Sequence, residues 1–185
     1  MTRPLRRDAA RNREKVLEAA AAVFTEQGLR GSLEEVARRA GVGIGTVYNH
    51  FPTRDALIDA LLPARLAAVD EFAAASESEP DAWRAFTGFV GRLTQQMAAD
   101  RGLLEAFTGD HPAAEQVAAA CHRGMAQLSR LLERTRDAGA LRHDVTDADV
   151  VHLIWALSLL GDAAGAEAVG RCTSLALDGL RAERQ

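Results

Sequence analysis

The stretch Gly41-Val42-Gly43-Ile44-Gly45-Thr46-Val47-Tyr48-Asn49-His50-Phe51-Pro52-Thr53-Arg54 constrains this chain more than any other. A glycine turn opens a segment of about two helical turns, a proline closes it, and a new helix can start at once. Ile44, Val47 and Phe51 recur at spacings of three and four, so they can share one face of a helix. Thr46, Asn49 and His50 then turn outward, with Tyr48 at the edge. A helix this short with a single apolar stripe is not stable alone in water. Its neighbours must hold it, and its polar side is what it exists to present.

The residues before it supply those neighbours. A first long helix is expected from near Asp8 to about Gln27, with Val16, Ala20, Val23 and Phe24 at helical spacing and Gly28 as its stop. Ser32 caps a short second helix, and Glu35 three residues later reads as a capping box. Leu33, Val36, Ala37 and Ala40 form its apolar face, and Gly41 ends it. Phe24, Leu33, Val36, Val42, Val47 and Phe51 make the expected core of a three-helix bundle. Short helix, glycine turn, short helix is a helix-turn-helix layout, whose second helix suits the major groove of DNA. Gly41-x-Gly43-x-Gly45 has neither the preceding strand nor the spacing of a dinucleotide or P-loop signature.

Charge divides the chain in the same place. Residues 1–54 hold ten Arg or Lys against six Asp or Glu, while residues 55–185 hold twelve against twenty, giving +4 and −8 within a net charge of −4. A basic first third on an acidic remainder fits one nucleic-acid-facing module on a body that does not face nucleic acid, and a solvated basic tail would fit equally. Residues 1–7, with Arg3, Arg6 and Arg7, read as a basic arm. No apolar run reaches the length of a membrane span, and the Arg-rich start lacks a signal-peptide core, so a cytoplasmic protein without membrane attachment is expected.

The remainder reads as helices. Thr53 caps a fourth helix from Arg54 to about Ala75, with Pro63 expected to kink or break it. A fifth spans about Asp81 to Ala99, a short one Gly102 to Phe107, and a seventh opens at His111-Pro112 and runs to about Asp137. Thr146 caps an eighth, with Asp149 at the capping-box position. Its apolar residues surround the axis, so it must be covered on more than one side. The last runs from about Ala166 to Arg181 after a turn at Asp162–Gly165. The fold class is therefore all-α, about nine helices, divided into residues 1–53 and residues 54–185. Surplus apolar surface on the last two helices points to a homodimer, through Ile154, Trp155, Ser158, Leu159, Cys172, Leu175 and Ala176. Simple packing inside one protomer is the alternative. Trp83, Phe86, Phe89, Met97, Phe107, Met125, His152 and Trp155 are candidates for lining a modest, largely apolar pocket, though such side chains also build cores.

No metal or cofactor is expected. The five histidines and the thiols Cys121 and Cys172 show no paired ligand spacing, and both cysteines read as buried free thiols. No serine or cysteine sits in a nucleophile context, so an enzyme is not expected.

The run "RNREKVLEAAAAVFTEQGLRGSLEEVARRAGVGIGTVYNHFPTRDALIDAL", Arg11 to Leu61, resembles the TetR family of bacterial repressors. "DAWRAFTGFVGRLTQQMAADRGLLEAFTG" and "AGALRHDVTDADVV" look more faintly like the body of its SbtR-like subgroup. The resemblance implies a three-helix DNA-binding head and a larger helical body that dimerises and holds an inducer. Thr46, Tyr48 and His50 match family positions that meet DNA, largely its backbone, and each can donate to a phosphate oxygen. Arg54 sits at a helix start suited to phosphate, and Ser32 stands at the start of the second helix. Gly43, Ile44 and Gly45 occupy the end that meets base edges, where Ile44 can meet a thymine methyl or pack in the core. Asn49 can pair with adenine, but the family often has an aromatic residue or Arg there.

The expectation is a sequence-specific DNA-binding regulator, a repressor bound as a homodimer to a double-stranded operator and released by an unknown small, largely apolar effector. Two alternatives stand beside it. One is a helical effector-binding protein whose head mediates protein–protein contacts, and the other is a helical enzyme.

Overall fold

The computed structural model describes residues 3–108 and 114–182. The helices begin with α1 (Arg3–Gln27), α2 (Leu33–Ala40), α3 (Ile44–His50), α4 (Arg54–Ser78) and α5 (Ala82–Ala99). It continues with α6 (Arg101–Thr108), α7 (Ala114–Asp137), α8 (Asp147–Ser158) and α9 (Gly161–Asp178). Among the described residues the only β pairing is the bridge between Leu141 and Arg181.

The chain packs as two compact units. The first contains α1 to α3, α4 as far as Arg65, and α6. Val16, Ala20, Val23 and Phe24 form the fully buried stripe expected of α1. Leu33, Val36, Val47 and Phe51 join that core, while Val42 is only half-buried. α1 begins at Arg3, so the backbone of the expected arm from residue 3 onward is helical. Pro63 does not break α4, which continues to Ser78 with the proline on its exposed side. Lacking an N–H, Pro63 leaves only the Asp59 carbonyl without its helical donor.

Charged side chains fasten α1 in place. Arg65, 11% exposed, donates to the Ala21 carbonyl at 2.9 Å and to Thr25 Oγ1 at 3.1 Å. It also meets Asp100 Oδ1 at 3.1 Å. Burial pulls the Arg65 pKa down, against the opposing charge of Asp100. Asp100 Oδ1 in turn accepts from Leu103 N at 2.9 Å, capping α6. Glu105 on α6 accepts from Leu29 N at 2.8 Å, just past the Gly28 turn. Gly28 has φ +75, and a Cβ there would collide with Glu105.

The second unit contains α4 from Leu66, α5, most of α7, α8 and α9. Its core includes Phe86, Phe89, Val90, Ile154, Val169 and Leu177. Thr146 and Asp149 form the expected capping box: Asp149 accepts from Thr146 N at 2.8 Å, and Thr146 accepts from Asp149 N at 3.2 Å. The Ser32–Glu35 pattern gives a different result. Ser32 caps α2 by accepting from Glu35 N at 3.3 Å, but the Glu35 carboxylate turns to Arg38 and Arg39 on the next turn. Two guanidinium groups at i+3 and i+4 outcompete one backbone N–H. The last helical stretch starts at Gly161, earlier than expected, but breaks at Gly165 (φ 79, ψ 170). Only glycine tolerates that conformation. His111-Pro112, expected to open α7, lies outside the described residues.

Candidate nucleic-acid interface

The turn into α3 is built by its glycines. Gly41 adopts φ 66 and ends α2, with Val42 N donating to Ala37 O at 3.0 Å and Gly41 N to Arg38 O at 3.2 Å. This double closure of a helix end is what a left-handed glycine permits. Gly43 then stands in extended backbone as the N-cap of α3, with no side chain to occupy the helix start.

α3 is held by few side chains. Val47 is fully buried and Phe51 is 4% exposed, and Phe51 N closes the helix on Val47 O at 2.9 Å. Arg13 of α1 lays its guanidinium 5.1 Å from the centre of the Phe51 ring. Ile44 is not part of this core. It is 37% exposed, which resolves the choice between packing and presentation in favour of presentation. Tyr48 is 46% exposed, Asn49 is exposed, and Thr46 and His50 are half-buried. A Cβ added at Gly43 or Gly45 would meet nothing within 4 Å, so the backbone lies open there. Gly43, Ile44, Gly45, Tyr48 and Asn49 thus share one exposed surface on a seven-residue helix.

Two of the other candidates are already occupied. Ser32 donates its hydroxyl proton to Glu34 at 2.8 Å, which holds the Glu34 carboxyl below its usual range. A phosphate would have to displace Glu34 to use that proton. Arg54 Nη1 donates to the carbonyls of Leu29 (3.1 Å) and Gly31, so this side chain braces the α1–α2 turn. Thr53 caps α4, accepting from Ala56 N at 3.1 Å. The basic residues of α2 are also partnered. Arg39 pairs with Glu26 at 2.7 Å and with Glu35 at 2.7 Å, and Arg38 reaches the same Glu35. Hydrogen bonds from Arg38 first, and Arg39 next, lower the Glu35 pKa to about 2.

Comparison with known proteins places this arrangement. Residues 16–61 match the family described as bacterial regulatory proteins, tetR family. Residues 80–182 match the C-terminal domain of SbtR-like transcriptional regulators. The chain belongs to the TetR family.

Among solved structures, the chain is similar to the TetR regulator SCO0520 from Streptomyces coelicolor. That pair is 30% identical with a TM-score of 0.62, covering 93% of this chain and 99% of the other. A TetR regulatory protein from Mycobacterium vanbaalenii is 35% identical, with a TM-score of 0.57 over 96% and 99% of the two chains. The HTH-type transcriptional regulator TtgR of Pseudomonas putida is 37% identical over 82 residues, 44% of this chain. That match spans only 39% of the length of TtgR.

In this TetR-family chain the expected pocket residues do not surround one cavity. Phe86, Phe89 and Met97 are buried at 0%, 1% and 3% exposure. Trp83 is half-buried, tilted against Phe86 and covered by Arg181. Met125, His152 and Trp155 are exposed, and Phe107 belongs to the other unit. The expected dimer residues divide by helix face. Ile154 and Ser158 turn inward, with the Ser158 hydroxyl donating to Ile154 O at 2.8 Å. Trp155 (42%), Leu159 (67%) and Leu175 (63%) stand outward, while Cys172 and Ala176 are half-buried. Burial raises the pKa of Cys121, which is also half-buried. Among the described residues no His, Cys, Asp and Glu cluster could hold a metal, and no helix is long and apolar enough to cross a membrane.

Proposed function

We propose that this chain is a homodimeric, DNA-binding repressor. Residues 1–53 supply the DNA-facing part, and two copies of Ile44–His50 enter successive major grooves. The reading rests on one observation: α3 commits only Val47 to full burial and leaves Ile44, Tyr48, Asn49 and two bare glycines exposed. A helix held so lightly is explained by what it presents.

Tyr48, Thr46 and His50 donate to phosphates. The glycines let backbone approach the duplex, Ile44 meets thymine methyl groups, and Asn49 pairs with adenine. Arg54 acts mainly through the α1–α2 turn it braces. The outward apolar set Trp155, Leu159 and Leu175 supports self-association through α8 and α9. Residues 54–185 take up a small-molecule effector that favours a state unable to hold the operator.

The test is retention of a labelled DNA fragment from upstream of the protein's own gene, measured at low salt against an unrelated fragment. The proposal expects preferential retention of the upstream fragment that weakens as salt rises. Equal or absent retention of both fragments would count against it.

A further inference from the structure

The buried turn between α1 and α2 takes its hydrogen-bond partners from helices that come later in the chain. Gly28, Leu29 and Gly31 are buried there, and Arg30 faces solvent. Inside the turn, Gly28 N donates to Phe24 O and Gly31 N to Gly28 O, each at 3.0 Å. The Leu29 N–H and the carbonyls of Leu29 and Gly31 are met by side chains instead. Glu105 of α6 accepts from Leu29 N at 2.8 Å, and Arg54 of α4 donates to both carbonyls. A carboxylate and a guanidinium thus hold the turn from two sides, each by charge-assisted bonds.

Space fixes Glu105 as firmly as bonding does. Gly28 leaves room for the carboxylate, since a Cβ there would occupy its place. α6 itself lies hard against the end of α1: a Cβ at Gly102 would come within 2.8 Å of the Phe24 carbonyl. Asp100 ties the first turn of α6 to Arg65, which donates in turn to the Ala21 carbonyl. The other oxygen of Glu105 meets Arg101 at 3.2 Å, in a pair too exposed (49% and 37%) to contribute much. Ser32, the N-cap of α2, follows Gly31 directly, so this turn sets the direction in which α2 leaves α1. α2 and the Gly41 turn then carry α3, whose own hold on the core is Val47 and Phe51.

We propose that Glu105 is a positioning residue for DNA binding: through the Leu29 amide it sets the angle at which α2 and α3 meet the duplex, without touching the duplex itself. The inference rests on the reading of α3 as the DNA-facing helix. It extends the DNA-binding part beyond residues 1–53, whose buried turn is completed only by Arg54 and Glu105.

Anisotropy titrations of the full chain on a DNA fragment it retains, run across a salt series, compare wild type with Glu105→Ala and Glu105→Gln. Glutamine keeps an oxygen for Leu29 N, and alanine does not. Glu105→Ala is expected to bind at least about tenfold more weakly with the wild-type salt slope, because no phosphate contact is lost. Glu105→Gln should stay within about threefold of wild type. If alanine abolishes folding, Glu105→Asp takes its place, keeping the charge but falling one methylene short of Leu29, with the same loss expected. Hydrogen exchange at the Leu29 amide reads the contact without DNA: slow in wild type and Glu105→Gln, fast in Glu105→Ala or Glu105→Asp. Wild-type affinity in the shortened variant, equal weakening in Glu105→Gln, a changed salt slope, or slow Leu29 exchange in the shortened variant would overturn the proposal. Retention of no DNA by wild type would sink the repressor reading and with it the role in binding, while the exchange result still decides whether Glu105 holds the turn.

Discussion

The first unit and the α5, α8 and α9 packing of the second fasten their helices by different chemistry. In the first, charged side chains cross from one helix to backbone groups of another: Arg65 to Ala21, Glu105 to Leu29, Arg54 to Leu29 and Gly31. In the second, apolar residues such as Phe86, Phe89, Val169 and Leu177 fill the spaces between α5, α8 and α9. Its buried hydroxyls mostly close on their own helices. Thr94, Ser158 and Thr173 each donate to the carbonyl four residues back, at 2.8, 2.8 and 2.7 Å. Hydrogen bonds depend on angle, whereas apolar burial does not. The first unit therefore fixes orientation, as a lightly held α3 requires. The second gains cohesion from apolar burial.

Replacement at the charged clasp should produce the largest effect. Arg65→Ala strands the buried Asp100 and is expected to cost about 3–5 kcal/mol in urea unfolding. The matching change in the second unit, Leu177→Met, keeps volume and should cost less than about 1.5 kcal/mol. Similar losses at the two sites would erase the distinction between the units. The next effect tests the outward apolar face of the second unit. Leu159→Glu places a charge where a partner would cover it and is expected to raise the dimer dissociation constant by about 100-fold, about 2.7 kcal/mol, as sized by light scattering. An unchanged mass at low protein concentration would remove α8 and α9 from the interface.

The smallest effect concerns pH. The Glu35 carboxyl titrates near 4.5 when unpaired and near 2 beside Arg38 and Arg39. Its folded pKa is depressed, so its contribution is fully present above 4.5 and is lost as pH falls toward 2. Glu35→Gln should flatten the loss of stability over that window, and only slightly, because the group is exposed. Urea midpoints compared at about pH 5 and about pH 2.5 report this difference. An identical acid response in both proteins would remove the pairing from the account.

Most of the fold was legible because helical periodicity and caps are local signals. Val16, Ala20, Val23 and Phe24 announce their face, and Thr146 with Asp149 announces its cap. The clasp was less visible, although Arg65 follows Ile58, Leu61 and Leu62 at the spacing of the buried stripe of α4, where a guanidinium is out of place unless it has partners. Those partners, Ala21, Thr25 and Asp100, are distant in sequence. The candidate interface was legible in which residues α3 carries, but Ile44 was undecided between core and surface. Arg54 read as a phosphate ligand because its carbonyl partners lie more than twenty residues away.

The central claim concerns α3, and Tyr48 tests it most directly because its exposed side chain can be removed without opening the core. Anisotropy titrations of a DNA fragment retained by the wild-type chain, run across a salt series, should give a steep loss of affinity with salt. Tyr48→Ala should bind every fragment about tenfold more weakly with an unchanged melting temperature. Equal affinity and an equal salt slope for the two proteins would contradict the placement of this helix against DNA.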